Sequence, residues 1–279
     1  MTTRQQMGRI ARLLGPAFVA AVAYVDPGNF AANFGAGAKY GYLLLWVLVV
    51  ANLMAAIAQY LSAKVGIVTG KSLPEIIAEY LPAWARRAYW AQAEVVAVAT
   101  DIAEVVGGAV ALHLLFGLSL PLGGLLIGVV SMLLLVVYSR KGQYYFERII
   151  VILLLLIPIG FFMGLMQHPP ALDGVFAGLV PRFAGSETLL LASAMIGATI
   201  MPHVVYLHSA LARDRHGKVK RTELRQYLRA TKIDVVMAMA IAGTVNVAML
   251  VLTASTLNGD VATFEGIFSH VSDKVGALA

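Results

Sequence analysis

The sequence contains no cysteine, and charged residues make up only 13% of its 279 positions. The absence of cysteine excludes a disulfide-stapled scaffold and any metal site built on thiolates. A soluble domain usually carries about 25% charged and roughly 45–50% apolar residues, whereas 59% of this chain is hydrophobic. The sequence is therefore not that of a soluble globular protein, and its long apolar runs predict a protein that crosses a membrane many times.

Motifs of common hydrolases and nucleotide-binding enzymes are also missing. The chain has no HExxH, GxSxG, Walker A or GxGxxG pattern, so nothing supports hydrolysis or nucleotide use. His203 and His208 are five positions apart, which separates them by about 140° around a helix and prevents a shared two-histidine metal face. We therefore expect neither an enzyme nor a bound cofactor.

Seven stretches are long enough to cross a bilayer, since one crossing needs about 20 mainly apolar residues. They do not alternate between polar and apolar residues as the strands of a membrane β-barrel do. We predict an all-α polytopic membrane protein in which residues 1–279 form one transmembrane domain and 257–279 form a polar extracellular segment. The predicted spans are Leu13–Gly35, Tyr42–Ala63, Tyr89–Phe116, Leu120–Tyr138, Ile149–Met166, Thr188–Ala212 and Leu228–Leu257.

Basic residues are concentrated on one side of these spans. All but three of the 21 Lys and Arg residues lie before the first span, in the loops after the second and fourth spans, or between the end of the sixth span and the first turns of the seventh. The exceptions are Lys39, Arg182 and Lys274. By the positive-inside rule the N-terminus is cytoplasmic and Ala279 extracellular, in a cell inner (plasma) membrane. This topology explains the net charge of +6, so the expected partner is the lipid bilayer, not a nucleic acid.

The first and sixth predicted spans are each interrupted by proline beside polar residues. The interruptions read Asp26-Pro27-Gly28-Asn29 and Met201-Pro202-His203. A proline clashes with the carbonyl of the fourth residue before it, which frees the carbonyls of Ala23 and Ala198 from the helical ladder. Two interrupted spans in comparable positions indicate a binding site at the interface of two repeats.

These interruptions bring together groups that can bind a metal ion. Asp26 supplies a carboxylate, Asn29 an amide oxygen and Met201 a thioether, beside the carbonyls of Ala23 and Ala198. Oxygen ligands alone suit Mg, Ca or Na, whereas a thioether adds a preference for transition metals. A carboxylate at the centre of a membrane helix costs roughly 2.5–3.5 kcal/mol on insertion scales, so we expect Asp26 to have a function or a partner.

The third predicted span carries three acidic residues, Glu94, Asp101 and Glu104. Spacings of seven and three place them on one face of a helix. Inside a membrane some of them must be protonated or paired with basic residues of other helices, and both conditions suit a proton relay. A structural salt-bridge ladder, with Glu94 solvated at the interface, is the alternative. His203 could titrate near neutral pH or simply pack in the core.

Asp-Pro-Gly-Asn in the first span together with Met-Pro-His in the sixth resembles the Nramp family of proton-coupled divalent metal transporters, and more closely its bacterial manganese-importing members. The resemblance extends over the chain, including Asp101, Glu104 and the basic loop after the sixth span. It implies a LeuT-type fold of two inverted five-helix repeats. The later spans of that family do not occur in these seven, so we expect a second chain or a further C-terminal part to supply them.

The resemblance also implies the roles of individual residues. It implies that Asp26, Asn29 and Met201, with the carbonyls of Ala23 and Ala198, coordinate Mn(II) or Fe(II) during import. It further implies that proton movement uses Asp26, Glu94, Asp101, Glu104 and His203. One alternative is a sodium-coupled LeuT-type transporter of an organic solute, although Asp26 would repel a substrate carboxylate. Another is a non-transporting membrane subunit.

Overall fold

The computed structural model describes residues 15–217 and 219–256, and every helix named below lies within these ranges. The predicted extracellular segment 257–279 and the first two residues of the first predicted span lie outside them. The helices are α1 (Pro16–Val22), α2 (Pro27–Tyr40), α3 (Leu45–Thr69), α4 (Leu73–Tyr80), α5 (Ala83–Phe116), α6 (Leu120–Lys141), α7 (Gln143–Gln167), α8 (Leu172–Gly178), α9 (Ser186–Thr199), α10 (Pro202–His216) and α11 (Leu224–Thr256).

Six segments of the described chain are long and apolar enough to cross a membrane. They are α3, α5, α6, α7, α11 and the combined stretch of α9 and α10. The first predicted span is divided instead, because α1 passes into a 3-10 turn, Ala23–Val25, before α2 begins. This chain is therefore a multi-pass membrane protein in which the first and sixth predicted spans are broken.

Helix α11 occupies the centre of the bundle, and α5 and α6 lie at its outside. About two thirds of the most apolar window of α11 is buried, against 6% for α5 and for α6. The helix packs against α1, α2, α3 and α7. An apolar helix surface needs no burial when its solvent is lipid, so the exposed faces of α5 and α6 are compatible with a bilayer.

Small residues allow two pairs of helices to approach backbone to backbone. Gly37 of α2 lies directly under Thr253 and the carbonyl of Leu250 in α11, and Gly66 of α3 lies against the carbonyl of Ser209 in α10. A methyl group at either glycine would overlap these atoms. Close contact through small residues is the usual way in which membrane helices associate. These contacts hold α2 of the first broken span against α11 and α10 of the second broken span against α3. Since α3 and α11 pack against each other, the two broken spans belong to one bundle.

Candidate metal site

The first break is built around Asp26, which has the extended dihedrals φ −90° and ψ 166°. Its carboxylate caps α2 by accepting hydrogen bonds from the backbone N–H groups of Gly28 at 3.1 Å and Asn29 at 3.0 Å. Pro27 occupies the first position of α2. A backbone N–H at this position has no acceptor within the helix, so its absence in proline costs no hydrogen bond. The sequence Asp-Pro-Gly-Asn therefore ends one helix and begins another at the same point.

The second break has the same order of elements. Helix α9 ends at Thr199, Met201 is extended with φ −95° and ψ 116°, and Pro202 begins α10. Unlike Asp26, Met201 makes no side-chain cap hydrogen bond. Its side chain is buried beside the first break, in a cluster that includes Tyr24 and Ala21. The sulfur thus lies on the inside of the bundle.

The side-chain amide of Asn29 joins the two breaks. Its Nδ2 donates to Asp26 Oδ1 at 2.6 Å and to the carbonyl oxygen of Ala198 at 3.0 Å, and the residue is fully buried. Ala23 lies in the 3-10 turn that leads into Asp26. Within residues 15–217 and 219–256 no group of three His, Cys, Asp or Glu residues could hold a metal ion. A metal site here therefore needs amide, thioether and carbonyl ligands in addition to the carboxylate of Asp26.

Thr199 is part of this site, although the sequence analysis assigned it no role. Its Oγ1 lies 2.7 Å from the carbonyl oxygen of Met195 and 3.1 Å from Asn29 Oδ1. Both neighbours are acceptors, and a hydroxyl has only one proton to donate. Thr199 can therefore satisfy only one of them while the amide has this orientation. The available sequence signal was its position directly after Ala198 in an apolar span.

A second buried polar network lies next to the first break. Gln59 Nε2 donates to the hydroxyl of Tyr24 at 2.7 Å, and Gln59 Oε1 lies 2.8 Å from Nδ1 of His208. All three side chains are almost completely buried. The network links the 3-10 turn of the first break to α3 and α10. The sequence alone predicted no function for Gln59 and His208, because isolated polar residues in apolar spans do not reveal their partners.

Helix α5 carries the predicted acidic face. Glu94, Asp101 and Glu104 are exposed at the surface of the described part of the chain and form no ion pair within it. Asp101 and Asp26 both interact electrostatically with His203, and Glu104 interacts with Asp26 and Asp101. The structure therefore brings Asp101, Glu104 and His203 to the first break. Glu94, two to three turns away along α5, makes no hydrogen bond to either break among the described residues.

Two interrupted helices that meet at a buried polar site, inside a bundle of long apolar helices, define a helical membrane protein of the inverted-repeat class. Comparison with known proteins gives the family. The family model for natural resistance-associated macrophage protein-like (Nramp) proteins matches residues 17–279. The chain therefore belongs to the Nramp family, as the motifs in its first and sixth spans predicted.

Individual relatives agree with this result. The chain is 56% identical to a divalent metal cation transporter MntH of Mycobacterium tuberculosis, covering 99% of this chain and 65% of the relative. It is 45% identical to the MntH of Deinococcus radiodurans, covering 90% of this chain and 57% of that protein. Both relatives are named as transporters, not as enzymes. This chain thus spans less than two thirds of the length of the curated relatives that it matches.

A solved structure confirms the predicted fold. The crystal structure of a manganese transporter from Eremococcus coleocola superposes with a TM-score of 0.85 at 29% identity, covering 96% of this chain and 57% of that one. The predicted LeuT-type arrangement, with its broken first and sixth spans, is thereby confirmed.

Proposed function

We propose that this protein imports divalent transition metal ions, including Mn(II) and Fe(II), across the cytoplasmic membrane. Import is coupled to protons and proceeds by alternating access. The observation that carries the proposal is the hydrogen bond from Asn29 to the carbonyl of Ala198, because it joins the two breaks directly. The relatives named as divalent metal cation transporters support the class of substrate.

In this proposal the metal is coordinated by Asp26, Asn29 and Met201 and by the carbonyls of Ala23 and Ala198. The present hydrogen bonds of Asn29 occupy Asp26 Oδ1 and the Ala198 carbonyl, so a cation must displace the Nδ2 group. Turning the amide over directs Oδ1 toward the ion. It also directs Nδ2 toward Thr199 Oγ1, which then accepts from Asn29 while donating to Met195. The turned amide thus resolves the conflict between the two acceptors of Thr199.

The proton route in this proposal begins at Asp26 and uses His203, Asp101, Glu104 and Glu94. Electrostatic contact between Asp26, His203 and Asp101 supports its inner part. Intramembrane acidic residues and histidines that meet at a substrate site are typical of proton relays in transporters. Glu94 has no comparable contact among the described residues, so its place in the route rests on its position on the acidic face.

The proposal also includes the orientation of the chain in the membrane and the source of the spans beyond the seven predicted ones. The distribution of Lys and Arg supports a cytoplasmic N-terminus and an extracellular residue 279. Two inverted five-span repeats need ten spans, and seven are predicted in this sequence. We propose that further polypeptide, on the same gene product or on a second chain, supplies the others. Intact-mass analysis of the purified active protein identifies its source.

Uptake into vesicles tests the function. The complete gene product is placed in proteoliposomes with a pH-sensitive dye inside, and Mn(II) uptake and internal pH are followed with and without an inward proton gradient. We expect Mn(II) entry to acidify the lumen. Asp101→Asn should weaken the link between the two fluxes, whereas Asp173→Asn, which changes an exposed acid on α8, should leave it intact.

Three results would count against the proposal. If proton flux and the pH dependence of Mn(II) uptake are unchanged in Asp101→Asn, the acidic face of α5 has only a structural role. Uptake of an amino acid driven by a sodium gradient, without competition from Mn(II), would favour the organic-solute transporter. No uptake of either kind by the complete gene product would favour a non-transporting subunit.

A further inference from the structure

Gly107 of α5 packs directly against the proline ring of the first break. A methyl group at position 107 would place its carbon 2.5 Å from Pro27 Cγ and 2.9 Å from Pro27 Cβ. Carbon atoms in favourable contact are about 3.5–4.0 Å apart. Only glycine therefore allows α5 to lie this close to the first turn of α2.

The proline ring cannot turn away from a side chain at position 107. The ring includes the backbone nitrogen and Cα of Pro27 and fixes its φ at about −65°. A change of ring pucker can move Cγ, but Cβ, at 2.9 Å, moves away only if the backbone moves. Asp26 directly precedes Pro27 and caps α2 through the N–H groups of Gly28 and Asn29. Displacing the ring therefore displaces two of the proposed metal ligands.

The same contact sets the position of the acidic face of α5. Glu104 lies three residues before Gly107, about 4.5 Å along the axis and on the same side of the helix. Its charge interacts with that of Asp26. The separation between the metal site and the acids of α5 thus depends on how closely α5 approaches Pro27.

We propose that Gly107 is a positioning residue that couples the first break to the carboxylates of α5. The inference rests on the proposed function, since the coupling it describes links metal movement at Asp26 to proton transfer at Asp101 and Glu104. With glycine at position 107, the Pro27 ring is in direct contact with α5, so a movement of the break is transmitted to α5 through this contact. A larger residue holds the two elements apart, so metal uptake loses its link to proton entry.

The adjacent glycine provides a matched control. A methyl group at Gly108 would lie 2.7 Å from Ile127 Cγ1 in α6 and would not meet either break. A methyl group at position 108 displaces Ile127 or α6, whereas a methyl group at position 107 displaces Pro27 in the first break. Gly107→Ala and Gly108→Ala are therefore the same substitution at neighbouring positions of one helix, and only the first presses on the metal site.

Three measurements on the complete gene product test the proposal. These are amide hydrogen exchange at residues 26–30, Mn(II) affinity by direct titration, and the number of protons that enter per Mn(II) ion. In Gly107→Ala we expect faster exchange at 26–30 and a proton-to-metal ratio lower by about tenfold, since displacements near 1 Å in catalytic sites can cost even more than that in rate. Mn(II) affinity should change less than the ratio, and Gly108→Ala should match wild type throughout.

The proposal is overturned if the two glycine variants are alike in exchange and in proton-to-metal ratio. It is also overturned if Gly107→Ala fails to fold while Gly108→Ala folds, because the contact would then be structural only. A wild-type protein that takes up no metal would refute the proposed function instead. In that case the exchange comparison would still decide whether Gly107 holds the break in place.

Discussion

Gln59 Oε1 in α3 lies 2.8 Å from Nδ1 of His208 in α10, within a fully buried interface. Because an amide oxygen can only accept, Nδ1 of the imidazole must carry the proton that forms this bond. The other imidazole nitrogen, Nε2, is buried without a partner among the described residues. The arrangement fixes the orientation of the imidazole and ties the two helices together through Gln59.

Removing Gln59 should therefore destabilise the protein. Gln59→Leu leaves the hydroxyl of Tyr24 and Nδ1 of His208 buried without a partner, and each such group costs about 1–3 kcal/mol. We expect a lower midpoint of unfolding in mixed micelles and faster amide exchange in the turn Ala23–Val25. Gln92→Leu, at an exposed position of α5, is the control. Equal stability of the two variants would show that the network contributes nothing.

The hydroxyl of Thr199 should contribute to metal affinity. Thr199→Val keeps the shape of the side chain but removes the acceptor that the turned amide of Asn29 needs. We expect Mn(II) binding to weaken by about tenfold, which corresponds to the roughly 1.4 kcal/mol lost when a buried donor is left unpaired. Isothermal titration measures the change.

Thr244→Val is the matched control for this prediction. Thr244 also donates to the carbonyl four residues earlier in its helix, Ala240, but it is exposed and lies away from the breaks. Equal affinity of the two valine variants would mean that Asn29 does not depend on Thr199 when metal is bound.

Selectivity among metals should depend on Met201. Calcium and magnesium prefer oxygen ligands, whereas Mn(II), Fe(II), Co(II) and Cd(II) accept a thioether. Met201→Ala should reduce cadmium uptake more than manganese uptake and admit calcium or magnesium better. Asp26→Ala should reduce the uptake of every divalent ion, because it removes the carboxylate from the site. A uniform loss of all ions in Met201→Ala would leave Met201 as a packing residue.

Helix α4 should be held less firmly at acidic pH. The backbone N–H of Ser72, followed by the guanidinium of Arg213, holds the pKa of the Glu75 carboxyl below its ordinary value of 4.5. A lowered pKa means that the interaction stabilises the folded state above 4.5 and is lost as the pH falls through the folded-state pKa. The effect should be small, since Glu75 is solvent-exposed.

Thermal unfolding from neutral pH to below 4.5 measures this effect. Glu75→Gln should lose part of the acid-induced fall in the unfolding midpoint. Glu79 lies on the same helix as Glu75 and pairs with Lys71. Glu79→Gln removes only that ion pair and should keep the wild-type pH dependence. Identical pH profiles for all three proteins would show that the Glu75 carboxylate does not contribute to the stability of the protein.

The sequence by itself determined the class of protein, the long helices and both breaks. Apolar runs of sufficient length must form helices in a bilayer, because no water is available to pair the backbone. Proline at positions 27 and 202 fixes where two of them are interrupted, for reasons local to each site. The acids of α5 and the residues of the proposed metal site were likewise recognisable as polar groups within apolar spans or beside an interrupting proline.

Only the tertiary structure decided how these parts meet. The bond from Asn29 to Ala198 spans 169 residues and that from Gln59 to His208 spans 149. No local pattern states which polar groups will pair over such separations. The contact between Gly107 and Pro27 is equally invisible in the sequence, because a glycine in an apolar helix reveals a close approach only when the partner is known. The local sequence determines where the two breaks lie, whereas the packing of distant helices determines which residues contact them. The reason is that membrane helices associate through complementary shape and buried polar contacts, not through a local sequence code.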